Sequence, residues 1–141
     1  MSRLSPPRWR VRLRAAPFGV RRLACAIHLA AITLLSLIPA WLFPPSLAQI
    51  PGADKWAHGA MYGLLGALLR WAAEEEGKAS PSPWGWPLAA AGYGLLMEFL
   101  QLQIGGGTRM FSWSDAAANL AGAVACWHAA GRILGNRPES P

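Results

Sequence analysis

The sequence predicts an all-α protein, a bundle of four transmembrane helices with both termini in the cytoplasm. Three observations carry that expectation. Of 141 residues, 53% are apolar and only 14% are charged, against about a quarter charged in soluble domains. The apolar residues gather into four blocks, at 23–43, 56–73, 87–104 and 116–134, each near the length of about 20 residues that spans a hydrocarbon core. Lys and Arg are also placed asymmetrically around these blocks. With the N-terminus inside, eleven fall on inner segments and two, Lys55 and Arg109, on outer loops, the bias of a positive-inside topology. The length corresponds to one domain.

Taken in order, residues 1–20 carry Arg, Pro and Ser without helical periodicity and read as a basic, disordered cytoplasmic tail. Seven arginines precede the first block: Arg3, Arg8, Arg10, Arg12, Arg14, Arg21 and Arg22. With no base-stacking module beside them, they read as an orientation signal rather than a nucleic-acid arm. The transmembrane domain is expected over 21–135. Its first block is too long for the h-region of a signal peptide, and Pro39 should stop or kink its helix. The second span opens just before its apolar block, with Asp54, and ends in Arg70 and the run Glu74, Glu75, Glu76, Gly77 and Lys78, whose charges read as a solvated connector. Pro81, Pro83 and Pro87 stiffen the entry to the third, which Gly105, Gly106 and Gly107 close. Ser112 or Ser114 can cap the fourth helix, with Asp115 in its first turn favourable to the helix dipole. Residues 136–141 form a short tail. Cys25 and Cys126, inside apolar blocks, read as buried thiols.

Within this frame the polar residues agree in depth and in face. At about 1.5 Å of rise per residue, His58 lies roughly 6 Å below Asp54, Glu98 roughly 9 Å below Ile104, and Asn119 roughly 6 Å below Asp115. Helices of alternating direction therefore bring polar groups to one shallow layer on the outer side. Asp54, His58 and Tyr62 share one helix face, as do Glu98 and Gln101, and Asp115 and Asn119. Gly122 continues the last stripe and would let another backbone approach closely. Arg109 and Lys55 supply positive charge at the rim. His28 and His128 fall in the inner halves of their blocks and are expected to hydrogen-bond locally, while Tyr93 and Trp127 read as packing residues.

The order Asp54-Lys55-x-x-His58-x-x-x-Tyr62, Glu98-x-x-Gln101, Arg109, Asp115-x-x-x-Asn119-x-x-Gly122 resembles the pattern of VanZ-like membrane proteins, over residues 34–125. Each motif alone is weak, and their order and spacing in a small four-span chain carry the resemblance. It implies a bacterial cell-envelope protein, since the family's namesake is associated with teicoplanin resistance in Gram-positive bacteria.

Two functions fit these residues. In the first, Asp54, Lys55, Tyr62, Gln101, Arg109 and Asn119 line an outward-facing pocket of the plasma membrane that binds a lipid-linked, cell-wall or glycopeptide-type ligand. In the alternative, a membrane-embedded hydrolase or transferase uses His58 as general acid or base, oriented by Asp54 or Asp115. Glu98 then serves as a second, buried carboxylate, and Arg109 and Lys55 clamp an anionic substrate. No Ser or Cys stands at convincing spacing from His58, which disfavours an acyl-enzyme. Asp54, His58, Glu98 and Asp115 are ligand types suited to zinc or manganese. With a single outer histidine and cationic partners in Lys55 and Arg109, however, the expectation is no metal and no cofactor. A purely structural network of Glu98, Gln101, Arg109 and Asn119 is the plainer alternative, although interhelical hydrogen bonds in membranes average only about 0.6 kcal/mol.

Overall fold

Pro17 and Pro39 bracket the first long helix. Proline fixes φ near the helical value at a helix entrance, and the residue before a proline is pushed out of the helical region. Ile38, with ψ 129°, is accordingly extended, and the helix ends at Leu37. The computed structural model describes residues 7–42, 44, 46, 50–74, 82–104 and 110–135. Its helices are α1 (Arg8–Ala15), α2 (Phe18–Leu37), α3 (Ala53–Ala73), α4 (Gly85–Ile104) and α5 (Trp113–Gly135), with a 3-10 turn at Ala40–Leu42. The described residues contain no strand, so the protein is all-α. By length and composition one described helix, Phe18–Leu37, is apolar enough to cross a membrane.

The four long helices run alternately up and down. At one end the start of α3 meets the start of α5 through His58 and Asn119, and the last turns of α4 meet the end of α2 through Gln101 and Ser36. At the other end the beginning of α2 meets the end of α3 through Arg21 and Trp71, and Trp84, just before α4, packs edge-on against His128 of α5, ring centroids 5.7 Å apart.

Small residues make α3 and α5 the closest pair. A Cβ on Gly122 would lie 2.1 Å from the Gly59 carbonyl oxygen, and one on Gly66 would lie 2.3 Å from that of Ala123. The two backbones touch, as small residues allow in packed helices. Around this seam Ile32, Tyr62, Leu65, Ala90, Met97 and Ala123 form the buried core. The outward faces are apolar too: Leu23, Ile27, Leu34, Leu64, Leu88, Leu96, Phe99 and Leu102 are all exposed. Exposed tryptophans stand at both ends, Trp41, Trp56 and Trp113 at one and Trp9, Trp84 and Trp86 at the other.

The basic end differs from its sequence reading. Residues 8–15, inside the stretch expected to be a disordered tail, are helical, and α2 begins at Phe18 rather than beyond Arg22. Arg21 is the physical reason. It is buried, and its guanidinium donates to the carbonyls of Arg14 (2.5 Å), Ala16 (3.0 Å), Trp71 (3.2 Å) and Glu74 (2.5 Å). The last carbonyls of a helix lack intrahelical partners, so this one side chain serves the ends of α1 and α3 together. Trp71 Nε1 donates to Leu13 O at 2.7 Å and completes the clip. Arg70 and Glu74, read as surface charge, are instead packed inward. They pair with each other, and the Arg70 guanidinium lies 5.4 Å from the Trp127 ring centroid.

The inner histidine of α2 hydrogen-bonds across the bundle rather than within its own helix, His28 Nε2 meeting Met61 O at 2.9 Å. Tyr93 reaches Thr33 Oγ1 at 2.5 Å and joins α4 to α2. Cys25 and Cys126 are free thiols.

Candidate functional site

Three helix ends build the site. From α3 comes His58, one turn inside the helix start; from α4 comes Glu98, two turns before its end; from α5 come Asp115 in the first turn and Asn119 one turn on. One ligand-type atom from each of His58, Glu98 and Asp115 lies within 4.8 Å of the other two. The structure thus brings together the three residues assigned to chemistry from sequence.

Glu98 is the most deeply set ionisable side chain among the described residues, 1% exposed. Its Oε2 accepts the Ser112 backbone N–H at 3.2 Å, and its Oε1 is 3.7 Å from His58 Nδ1. Ser112 is the residue before α5, and its Oγ accepts the Asp115 N–H at 3.2 Å. Of the two candidate caps, Ser112 fills the role, in the usual hydroxyl-to-N3 geometry. Glu98 therefore faces the amino end of α5, where the helix dipole favours negative charge. Sequence reasoning identified Ser112 only as a cap; that cap also hands its own amide to Glu98.

The expected orienting partner of His58 was Asp54 or Asp115, and the structure supplies a different one. Asn119 Oδ1 accepts a hydrogen bond from His58 Nδ1 at 3.0 Å. An amide oxygen can only accept, so Nδ1 carries the proton and Nε2 the lone pair of the neutral ring. Asp54 stands away from this cluster, its side chain 55% exposed and bonded to Lys55 Nζ at 2.7 Å. The Lys55 ammonium is also 3.5 Å from Asp115 Oδ1 and bridges the two carboxylates. Asp54 and Lys55 precede the apolar block at 56–73. Their hydrogen bond holds the Asp54 carboxyl below its usual range and the Lys55 ammonium above its own.

Tyr62 and Asn119 form the floor. Both are essentially fully buried, and Tyr62 Oη and Asn119 Nδ2 have no hydrogen-bond partner among the described residues. Gly94 of α4 makes room for them, because a Cβ there would lie 2.8 Å from Asn119 Nδ2 and 3.1 Å from Tyr62 Cε1. Gln101, expected to face the ligand, turns the other way and donates through Nε2 to Ser36 O at 3.0 Å. That carbonyl belongs to the last turn of α2, where intrahelical partners run out. Arg109, the expected anion clamp, lies outside the described residues.

The fold and site together define an all-α protein with buried Glu and Asn and half-buried His and Asp side chains at one end of a bundle whose outer faces are apolar. Compared with models of protein families, with curated proteins and with solved structures, the chain matches none.

Proposed function

We propose that this chain is a VanZ-like, multi-pass protein of the bacterial plasma membrane whose polar layer faces the extracytoplasmic side. There it binds a lipid-linked, cell-wall or glycopeptide-type ligand, and in the host that binding contributes to resistance to glycopeptides of the teicoplanin type. The observation that carries this reading is the inversion of polarity. Glu98, Asn119 and Tyr62 are buried between the helices while leucine, isoleucine and phenylalanine side chains cover the outside. Exposed apolar area on this scale needs a nonaqueous or protein partner, and ionisable groups inside a span face the bundle interior and mark ligand pathways. Tryptophans at both ends fit the two interfaces of a bilayer. The Lys and Arg asymmetry gives the orientation, with α1 and the buried Arg21 on the cytoplasmic side.

A membrane-embedded hydrolase or transferase is the second reading, favoured by one observation. His58, held by Asn119, stands 3.7 Å from the buried Glu98 carboxylate, an acid–base pair within reach of one substrate group.

The test is retention of ligand. Protein extracted with its native lipid should carry a cell-envelope lipid or cell-wall fragment detectable by mass spectrometry. Glu98→Gln, which keeps size and hydrogen-bonding capacity while removing charge, should lose that fragment yet insert and melt normally. A Glu98→Gln protein that retains both ligand and activity would refute the site.

A further inference from the structure

We infer that His58, Glu98 and Asp115 bind a divalent metal ion, zinc or manganese by ligand type, at the floor of the polar layer. The expectation from sequence was no metal, because one histidine seemed too few and Lys55 and Arg109 were counted as the cations of the site. The geometry changes that weighing. Three helices converge to place one histidine nitrogen and two carboxylate oxygens within 4.8 Å of one another. Around a tetrahedral ion with ligand bonds of about 2.0–2.2 Å, neighbouring ligand atoms stand about 3.3–3.6 Å apart. Small rotations at the ends of three flexible side chains close that difference. One nitrogen and two carboxylate oxygens form a mixed set suited to zinc or manganese, and three protein ligands leave coordination positions open, as in sites where the metal meets a substrate.

A second feature points to the same ion. Asn119 holds the His58 ring through Nδ1, an outer contact that fixes its orientation beside Glu98. The same amide group presents Nδ2, and Tyr62 presents its hydroxyl one turn below His58; both are buried donors without a hydrogen-bond partner among the described residues. Buried donors ordinarily have acceptors, and oxygen ligands completing the coordination sphere of an ion would serve both. Glu98 and Asp115 together offer a divalent ion two negative charges. Lys55, then released from Asp115, keeps Asp54, its partner at 2.7 Å. The pairing of exposed Asp54 with Lys55 is thereby explained as a rim contact that parks the lysine.

This inference deepens the reading above, since open positions on such an ion would receive a phosphate or carboxylate of the bound ligand, but its test does not depend on that ligand. The full chain, stripped with chelator and reconstituted in phosphatidylcholine nanodiscs, is titrated with Zn2+ alone and with Mn2+ alone. Bound metal is measured by elemental mass spectrometry after gel filtration. The expected result is one ion per chain. His58→Gln and Asp115→Asn should each weaken binding by about tenfold or more, while His128→Gln, at the opposite end, should not. Substoichiometric uptake by the unmodified chain would overturn the inference, as would equal affinity in well-folded His58→Gln and Asp115→Asn variants. A second measurement needs no variant: Co2+-loaded protein should absorb in the visible and lose that band to one equivalent of Zn2+, and absence of the band would also overturn it. Metal uptake without any co-purifying envelope ligand would sink the proposed function and leave the metal site standing. Retained ligand without metal would do the reverse.

Discussion

Glu98 and Gln101 sit one turn apart on α4, both buried, yet do different work. Glu98 faces His58 and the cap of α5; Gln101 faces the last turn of α2. Spacing alone placed them on one stripe, because i and i+3 share a helix face. The direction each side chain takes from that face is set by its neighbours. A residue-scale prediction separates the two roles. Gln101→Leu removes the donor to Ser36 O and should lower stability by about 0.6–1.7 kcal/mol, the range for interhelical hydrogen bonds in membrane proteins. Metal uptake and ligand retention should be unchanged. Thermal melts in detergent alongside metal analysis would check this, and loss of metal without loss of stability would return Gln101 to the site.

At the scale of the elements, α3 and α5 are pinned by contact between backbones rather than between side chains. That seam sets the distance from His58 to Asn119, because both lie on the faces that meet at Gly59 and Gly122. Gly122→Ala would put a methyl group 2.1 Å from the Gly59 carbonyl oxygen. Backbone cannot swing aside as a side chain does, so the helices must part. Overpacking of this kind costs about 1–3 kcal/mol. The melting temperature should fall, and metal affinity should fall with it as the His58–Asn119 hydrogen bond stretches. A Gly122→Ala protein with unchanged melting and unchanged affinity would show that the helices are free to slide without cost.

For the whole molecule, the topology prediction carries the placement of the site. In a background lacking Cys25 and Cys126, single cysteines made by Ser5→Cys and Ser140→Cys should react with a membrane-impermeant maleimide only after permeabilisation. Gly106→Cys should react in intact cells. Labelling of Ser5→Cys from outside would reverse the orientation and put His58, Glu98 and Asp115 on the cytoplasmic side. In the proposed frame the arginine clip would close the cytoplasmic end, with His58, Glu98 and Asp115 at the extracytoplasmic one.

Much of this was legible in the sequence by itself. Apolar blocks of helical length, broken by proline and glycine, determined the all-α class and the positions of the long helices. The helix at Arg8–Ala15 was not legible there, because alternating arginine has no helical periodicity and its support comes from Arg21 just beyond it and from Trp71 far along the chain. Regular rise per residue was enough to set His58, Glu98, Asp115 and Asn119 in one shallow layer, since depth along a helix follows from counting. Partners do not follow from counting. That His58 is held by Asn119, that Asp54 turns out to Lys55, that Gln101 turns to α2 and that Arg70 packs on Trp127 were decided by how far each helix rotates about its own axis and how closely glycine lets α3 and α5 approach. Both quantities are properties of several helices packed at once, and no single stretch of the chain contains them.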